Sequence, residues 1–122
     1  MTKIFAVDDS ASIRLYMDKS LREMGYAVEL AEDGDVALDR LKEHTDPIDV
    51  FVIDVVMRKM DGITLIRHIR EIERFKDTPV IVLTNLNDES MIETAKSSGA
   101  NCWVSKPFEA EKVAEVIESL VQ

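Results

Sequence analysis

The chain has one cysteine, Cys102, among its 122 residues, so no internal disulfide can form and nothing points to an oxidising compartment. A cytoplasmic location is the expectation. Long apolar runs are missing as well. The stretch Ile4 to Val7 falls short of the roughly 7 to 15 apolar residues of a signal-peptide core. Nothing elsewhere nears the ~18 that would span a bilayer, so membrane insertion is not expected. Positive charge is scarce, with 15 Lys and Arg against 24 Asp and Glu and a net charge of −9. A surface of that sign repels nucleic acid phosphates and anionic lipid, which argues against direct nucleic-acid binding and favours protein partners or small cations. There is no linker, low-complexity segment or internal repeat beyond the alternation described next.

What is present suits one domain: 46% of the residues are hydrophobic, enough for a proper core at this length. Apolar, β-branched runs of strand length occur at Ile4 to Val7, Ala27 to Ala31, Val50 to Ile53, Val80 to Leu83 and Cys102 to Val104. Between them run helical stripes such as Ile13, Met17, Leu21 and Met24, or Leu65, Ile66, Ile69 and Ile72. A last stripe, Val113, Val116, Ile117 and Leu120, closes the chain. Ser10 is placed to cap the first helix and Gly25 to end it, Asp61-Gly62 precedes the third, and Gly99 ends the fourth. Pro79 opens a strand and Pro107 closes one. Strict β-α alternation implies crossover helices and a parallel sheet covered on both faces. The expected fold is therefore α/β, a doubly wound (βα)5 domain over residues 1–122 with no output domain. Such a domain would act by touching another molecule.

In such a sheet the ligand site lies beyond the carboxyl ends of the strands, where strand order reverses. Asp8-Asp9 follow the first strand, Asp54 the third, Thr84 the fourth, and Ser105-Lys106-Pro107 the fifth. If the strands take the flavodoxin-like order 2-1-3-4-5, the three carboxylates converge. Like charges that close raise one another's pKa and call for a cation. Oxygen-only ligands suit Mg²⁺, which binds through one or two carboxylates and a phosphate oxygen. Lys106 supplies a second positive charge. Carboxylate, Mg²⁺, lysine and hydroxyl are the parts needed to transfer a phosphoryl group to Asp54, with Thr84 donating a hydrogen bond to the transferring oxygens. Singly, each has a plainer explanation: Asp-Asp as a helix N-terminal charge pair, Thr84 as a strand former, Lys106 as a surface charge. Asp54 is harder to explain away, since a carboxylate between Val50 to Ile53 and Val55 to Met57 carries a desolvation cost without a partner.

These residues resemble the receiver domain of two-component response regulators over the whole chain. The matching pieces are Val7-Asp8-Asp9-Ser10, Ile53-Asp54-Val55-Val56-Met57 with Met60-Asp61-Gly62, Leu83-Thr84, and Gly99-Ala100 leading to Lys106-Pro107-Phe108. Within the family the chain most resembles the stand-alone chemotaxis regulators of the CheY type. The resemblance implies that Asp54 is the phosphoacceptor, and that Asp8, Asp9, Asp54 and the backbone carbonyl of Val56 hold Mg²⁺. Thr84 and Lys106 would sense the phosphoryl group. Trp103 would be the switch aromatic that turns inward, although a tryptophan between Cys102 and Val104 in a strand ordinarily packs inside. A cis bond between Lys106 and Pro107 is implied too. So are a sensor histidine kinase as phosphohistidine donor and a protein target docking on the face of the fourth helix, fifth strand and fifth helix. Such a protein is a switch, not a dedicated enzyme. A phosphorelay intermediate, a phosphate-independent interaction module and a flavodoxin-like cofactor binder are the competing readings. The last would want a Ser, Thr and Gly-rich loop where Asp8-Asp9-Ser10-Ala11-Ser12 stands.

The rim departs from the common pattern. Arg58 stands where proline is frequent, implying a less rigid loop and, with Lys59, added positive charge. Asn85 replaces a small residue and would narrow the donor's entry. Val56 and Leu86 flank the path of the hydrolytic water in the family, and both are apolar here, so slow hydrolysis of the phosphorylated form is expected. Cys102 reads as a small buried hydrophobe, and His44 and His68 as surface residues.

Overall fold

The computed structural model describes residues 1–43, 46–85 and 89–121. The elements run β1 (Lys3–Val7), α1 (Ala11–Glu23), β2 (Ala27–Ala31), α2 (Gly34–Glu43), β3 (Val50–Asp54), α3 (Gly62–Glu71), a 3₁₀ turn (Glu73–Phe75), β4 (Val80–Thr84), α4 (Glu89–Ser98), β5 (Cys102–Ser105) and α5 (Ala110–Val121). The strands form one parallel sheet in the order β2-β1-β3-β4-β5. This is the flavodoxin-like order the sequence implied, and it sets β1 beside β3.

Continuous apolar runs in β1, β3 and β4 serve two cores, because alternate side chains point to opposite faces. Phe5, Val7, Phe51, Ile53, Val80 and Val82 pack under α2, α3 and α4 with Leu41, Leu65, Ile66 and Ile69. Ile4, Ala6, Val50, Val52, Ile81 and Leu83 pack under α1 and α5 with Met17, Leu21, Val113 and Ile117. The helix ends follow local chemistry. Ser10 Oγ accepts the Ile13 N–H at 3.3 Å and Asp61 Oδ1 accepts the Thr64 N–H at 2.8 Å, so both act as N-caps. Gly25 and Gly99, at φ of 98° and 119°, turn the chain out of α1 and α4.

The edge strand β2 is closed off by side chains. Arg22 donates to the Val28 carbonyl at 2.6 Å and Arg40 donates to the Leu30 carbonyl. Acceptors that would otherwise invite another strand are thereby occupied. Each of β3, β4 and β5 also runs one residue beyond its apolar stretch. Asp54 pairs with Leu83 and Thr84 with Ser105, so the polar residues at the carboxyl edge are held by the sheet ladder itself. That is firmer placement than a loop provides.

Candidate functional site

At the carboxyl edge, β1 delivers Asp8 and Asp9 beside Asp54 from β3. One carboxylate oxygen from each lies within 4.8 Å of the others. Asp8 and Asp54 are buried and Asp9 is half-buried. The backbone shapes the cluster: the Ser10 N–H donates to Asp8 Oδ1 at 2.9 Å, and the Val56 N–H to Asp54 Oδ1 at 3.3 Å. Arg14 on α1 donates to the Asp8 carbonyl at 2.8 Å and steadies the β1–α1 turn.

Lys106 reaches in from the segment after β5, its Nζ 3.0 Å from Asp8 Oδ2 and 3.2 Å from Asp54 Oδ1. It follows directly on Ser105, its N–H bonded to the Thr84 carbonyl at 2.8 Å, and precedes a cis peptide bond to Pro107. Burial pulls the lysine's pKa down, but the hydrogen bond to Asp8 and the charges of Asp54 and Asp8 outweigh this and hold the ammonium above its ordinary value. Asp54 goes the other way to the usual carboxylate. Burial first, then the charge of Asp8, push it from 3.8 up to about 6, with Lys106 and the Val56 N–H pulling back. One lysine between two carboxylates leaves the trio short of positive charge. Its hard, oxygen-only donor set fits a divalent cation of the Mg²⁺ kind.

Gly62 makes this arrangement possible. It begins α3 with its N–H on the Val55 carbonyl at 2.9 Å. A Cβ there would lie 2.2 Å from the Asp54 carbonyl oxygen and 2.9 Å from Val55 Cα. Only glycine lets α3 start this close to the strand that carries Asp54.

The other residues singled out by sequence fall into two groups. Thr84 is buried as the last residue of β4, on the strand next to Asp54, and lines a small cavity with Val55, Val82, Met91, Ala95 and Trp103. Trp103 does not pack inside. It is 40% exposed on the edge strand β5, with Lys96 Nζ 5.1 Å from its ring centroid. Cys102 is half-buried and lines the same cavity, so it is less enclosed than its hydrophobic neighbours suggested. At the rim, Arg58 is exposed with Nε 3.6 Å from Asp9 Oδ2, and Lys59 Nζ lies 3.9 Å from Asp33 Oδ2. Val56 is exposed. Asn85 is exposed and borders a hollow with Ser12, Tyr16, Lys106 and Phe108. His68 sits at the surface 3.7 Å from Glu71. Leu86 and His44 lie outside the described residues. Sequence reasoning missed Arg14, the Arg58–Asp9 pair and Lys96. Only the Asp8-x-Ser10 spacing, which allows a side chain to accept from the backbone two residues on, carried a local signal.

The sheet order and the acidic edge with its lysine define the class: a flavodoxin-like α/β domain with a cation-type site at the carboxyl ends of its strands. Its family follows from comparison. The description "response regulator receiver domain" matches residues 4–118, and the chain belongs to that family of two-component systems. It is 34% identical to the chemotaxis protein CheY of Bacillus subtilis over 94% of this chain and 93% of that protein. It superposes on the chemotaxis protein CheY4 of Vibrio cholerae with a TM-score of 0.93 at 34% identity, covering 98% of each chain. It is also 35% identical to a probable transcriptional regulator, ycf27, of Guillardia theta over 98% of this chain. The chain spans 45% of that protein's length, and about half the length of several other curated relatives. Among the described residues no helix is long and apolar enough to cross a membrane.

Proposed function

We propose that the chain is a phosphorylation-activated switch in which Asp54 accepts a phosphoryl group from the phosphohistidine of a sensor kinase. The observation that carries this reading is the Asp8–Asp9–Asp54 trio, with Asp8 and Asp54 buried and Lys106 bridging those two. An Asp54 oxygen forms the new bond to phosphorus as the phosphorus–nitrogen bond of the donor breaks, and the electron pair leaves with the imidazole. Asp8, Asp9, Asp54 and the backbone carbonyl of Val56 would hold Mg²⁺, which when bound supplies positive charge against the transferring oxygens. Lys106 is already at the cluster and needs only to exchange a carboxylate oxygen for a phosphoryl oxygen. Thr84, one strand over, donates its hydroxyl to another. Thr84 and Trp103 then carry the change to the face of α4, β5 and α5, where a protein target docks. The chemistry is a single transfer onto Asp54 followed by hydrolysis of the acyl phosphate, in which water takes the phosphoryl group and the Asp54 carboxylate is regenerated, so the protein is read as a switch and not a dedicated catalyst.

A chemotaxis role is favoured by the near-full-length match to the Bacillus subtilis protein. On this reading residues 1–122 work as one cytoplasmic receiver that acts through contact with its target. The test is a pull-down comparing the Mg²⁺ and beryllofluoride-loaded protein with Asp54→Asn. A partner retained only by the loaded form, and identified as a flagellar motor protein, is the expected result. The same partner held equally by both forms would sink the switch.

A further inference from the structure

Trp103 has an unusual neighbour for an exposed edge-strand aromatic. Lys96, in the last turn of α4, holds its ammonium 5.1 Å from the centroid of the indole, inside the range in which a cation is attracted to a π face. Both residues line the same cavity as Thr84, and most of the remaining lining is apolar: Val55, Val82, Met91, Ile92 and Ala95. The cavity leaves only about 10 Å³ for the centre of a water molecule, room for about one water and far too little for an indole. An indole can enter only if α4 yields. That helix is suited to yield, because Ala95 is the one buried residue among its described positions. The same helix that must move therefore carries the charge that holds the ring outside.

We infer that Lys96 is a positioning residue: its ammonium, stacked on Trp103, latches the indole outward and so sets how much phosphoryl-site occupancy is needed to turn it in. This rests on the reading of Trp103 as the switch aromatic. The latch opposes activation, since every inward turn must break the Lys96–Trp103 contact before the ring gains the apolar walls. An exposed cation–π contact of this kind biases the outward over the inward population by roughly two- to fivefold.

Trp103 is the only tryptophan, so its fluorescence reports the ring directly. The experiment compares wild type with Lys96→Met, Lys96→Ala and Lys96→Arg. Met and Ala are good helix formers at this exposed position, and both should fold. Acrylamide quenching is measured in Mg²⁺ alone and again along a beryllofluoride titration, with bound beryllofluoride counted by ¹⁹F NMR. Lys96→Met and Lys96→Ala should lower quenching in Mg²⁺ alone and shift the beryllofluoride midpoint roughly two- to fivefold lower, while Lys96→Arg, which keeps the cation, stays with wild type. A lysine that merely shields the ring predicts the opposite sign, with quenching rising once it is removed. That rise, or Met and Ala variants matching wild type in both readouts, overturns the latch. The switch reading fails differently: beryllofluoride would bind wild type stoichiometrically and leave its quenching unchanged. The latch would then stand or fall on quenching in Mg²⁺ alone.

Discussion

Replacing Asp54 by asparagine should make the metal-free domain more stable, although it removes the residue central to the proposed chemistry. Asp54 is buried beside Asp8, and its pKa rises from 3.8 to about 6. A tenfold change in acid dissociation is about 1.4 kcal/mol, so keeping Asp54 ionised costs the folded state up to about 3 kcal/mol relative to the unfolded chain. Asparagine has nearly the shape of the protonated acid and carries no charge. The pH dependence fixes the sign. Between about pH 4 and pH 6 the folded protein holds a proton on Asp54 that the unfolded chain has released, so the stability this proton represents is complete below about 4 and lost as pH rises through 6. Asp54→Asn should therefore match wild type near pH 4, gain on it through that window, and lead by a constant margin above it. Urea unfolding with a chelator across this range measures the gap. Adding Mg²⁺ should narrow it, because a cation bound to the native acidic trio stabilises wild type by mass action more than the variant. A variant no more stable than wild type at pH 7.5 in chelator would refute the electrostatic picture of the site.

Gly62→Ala places a methyl group 2.2 Å from the Asp54 carbonyl oxygen, and the start of α3 must move. A loss of roughly 1 to 3 kcal/mol in urea unfolding, with weakened Mg²⁺ binding, is expected. Arg70 donates to the carbonyls of Phe75, Thr78 and Gly99 and to Asn101 Oδ1, tying α3 to the turn between α4 and β5. Arg70→Met should lose on the order of 2 to 3 kcal/mol, and Arg70→Lys should recover only part of it, since an ammonium lacks the planar fork. With Val56 exposed and Leu86 apolar in sequence, slow loss of the phosphoryl group is the expected outcome after loading from a small-molecule donor. Decay should quicken when both are made polar; decay within seconds in wild type, unchanged in those variants, would rule the idea out.

The fold was legible because the information is local and periodic. Val50 to Ile53 and Val80 to Leu83 read as strands buried on both faces, and that is how they pack. Strand ends were read one residue short at Asp54, Thr84 and Ser105. Side-chain polarity suggested a loop there, whereas the backbone ladder continues regardless of what the side chain is. The acidic trio was legible because strand order alone brings Asp8, Asp9 and Asp54 together. Contacts made by long cationic side chains were not, since Arg14, Arg58 and Lys96 find partners that no spacing encodes. Trp103 shows the same limit. Its apolar neighbours argued for burial, but β5 is the last strand of the sheet, with a single buried residue, Val104.

The most direct test of the central claim is the site of phosphoryl incorporation. The protein is incubated with acetyl phosphate and Mg²⁺, and the adduct is located by peptide mass spectrometry after borohydride reduction of the acyl phosphate. One phosphoryl group on Asp54, absent without Mg²⁺ and absent from Asp54→Asn, is the predicted result. No incorporation, or incorporation on another residue that persists in Asp54→Asn, would contradict the account.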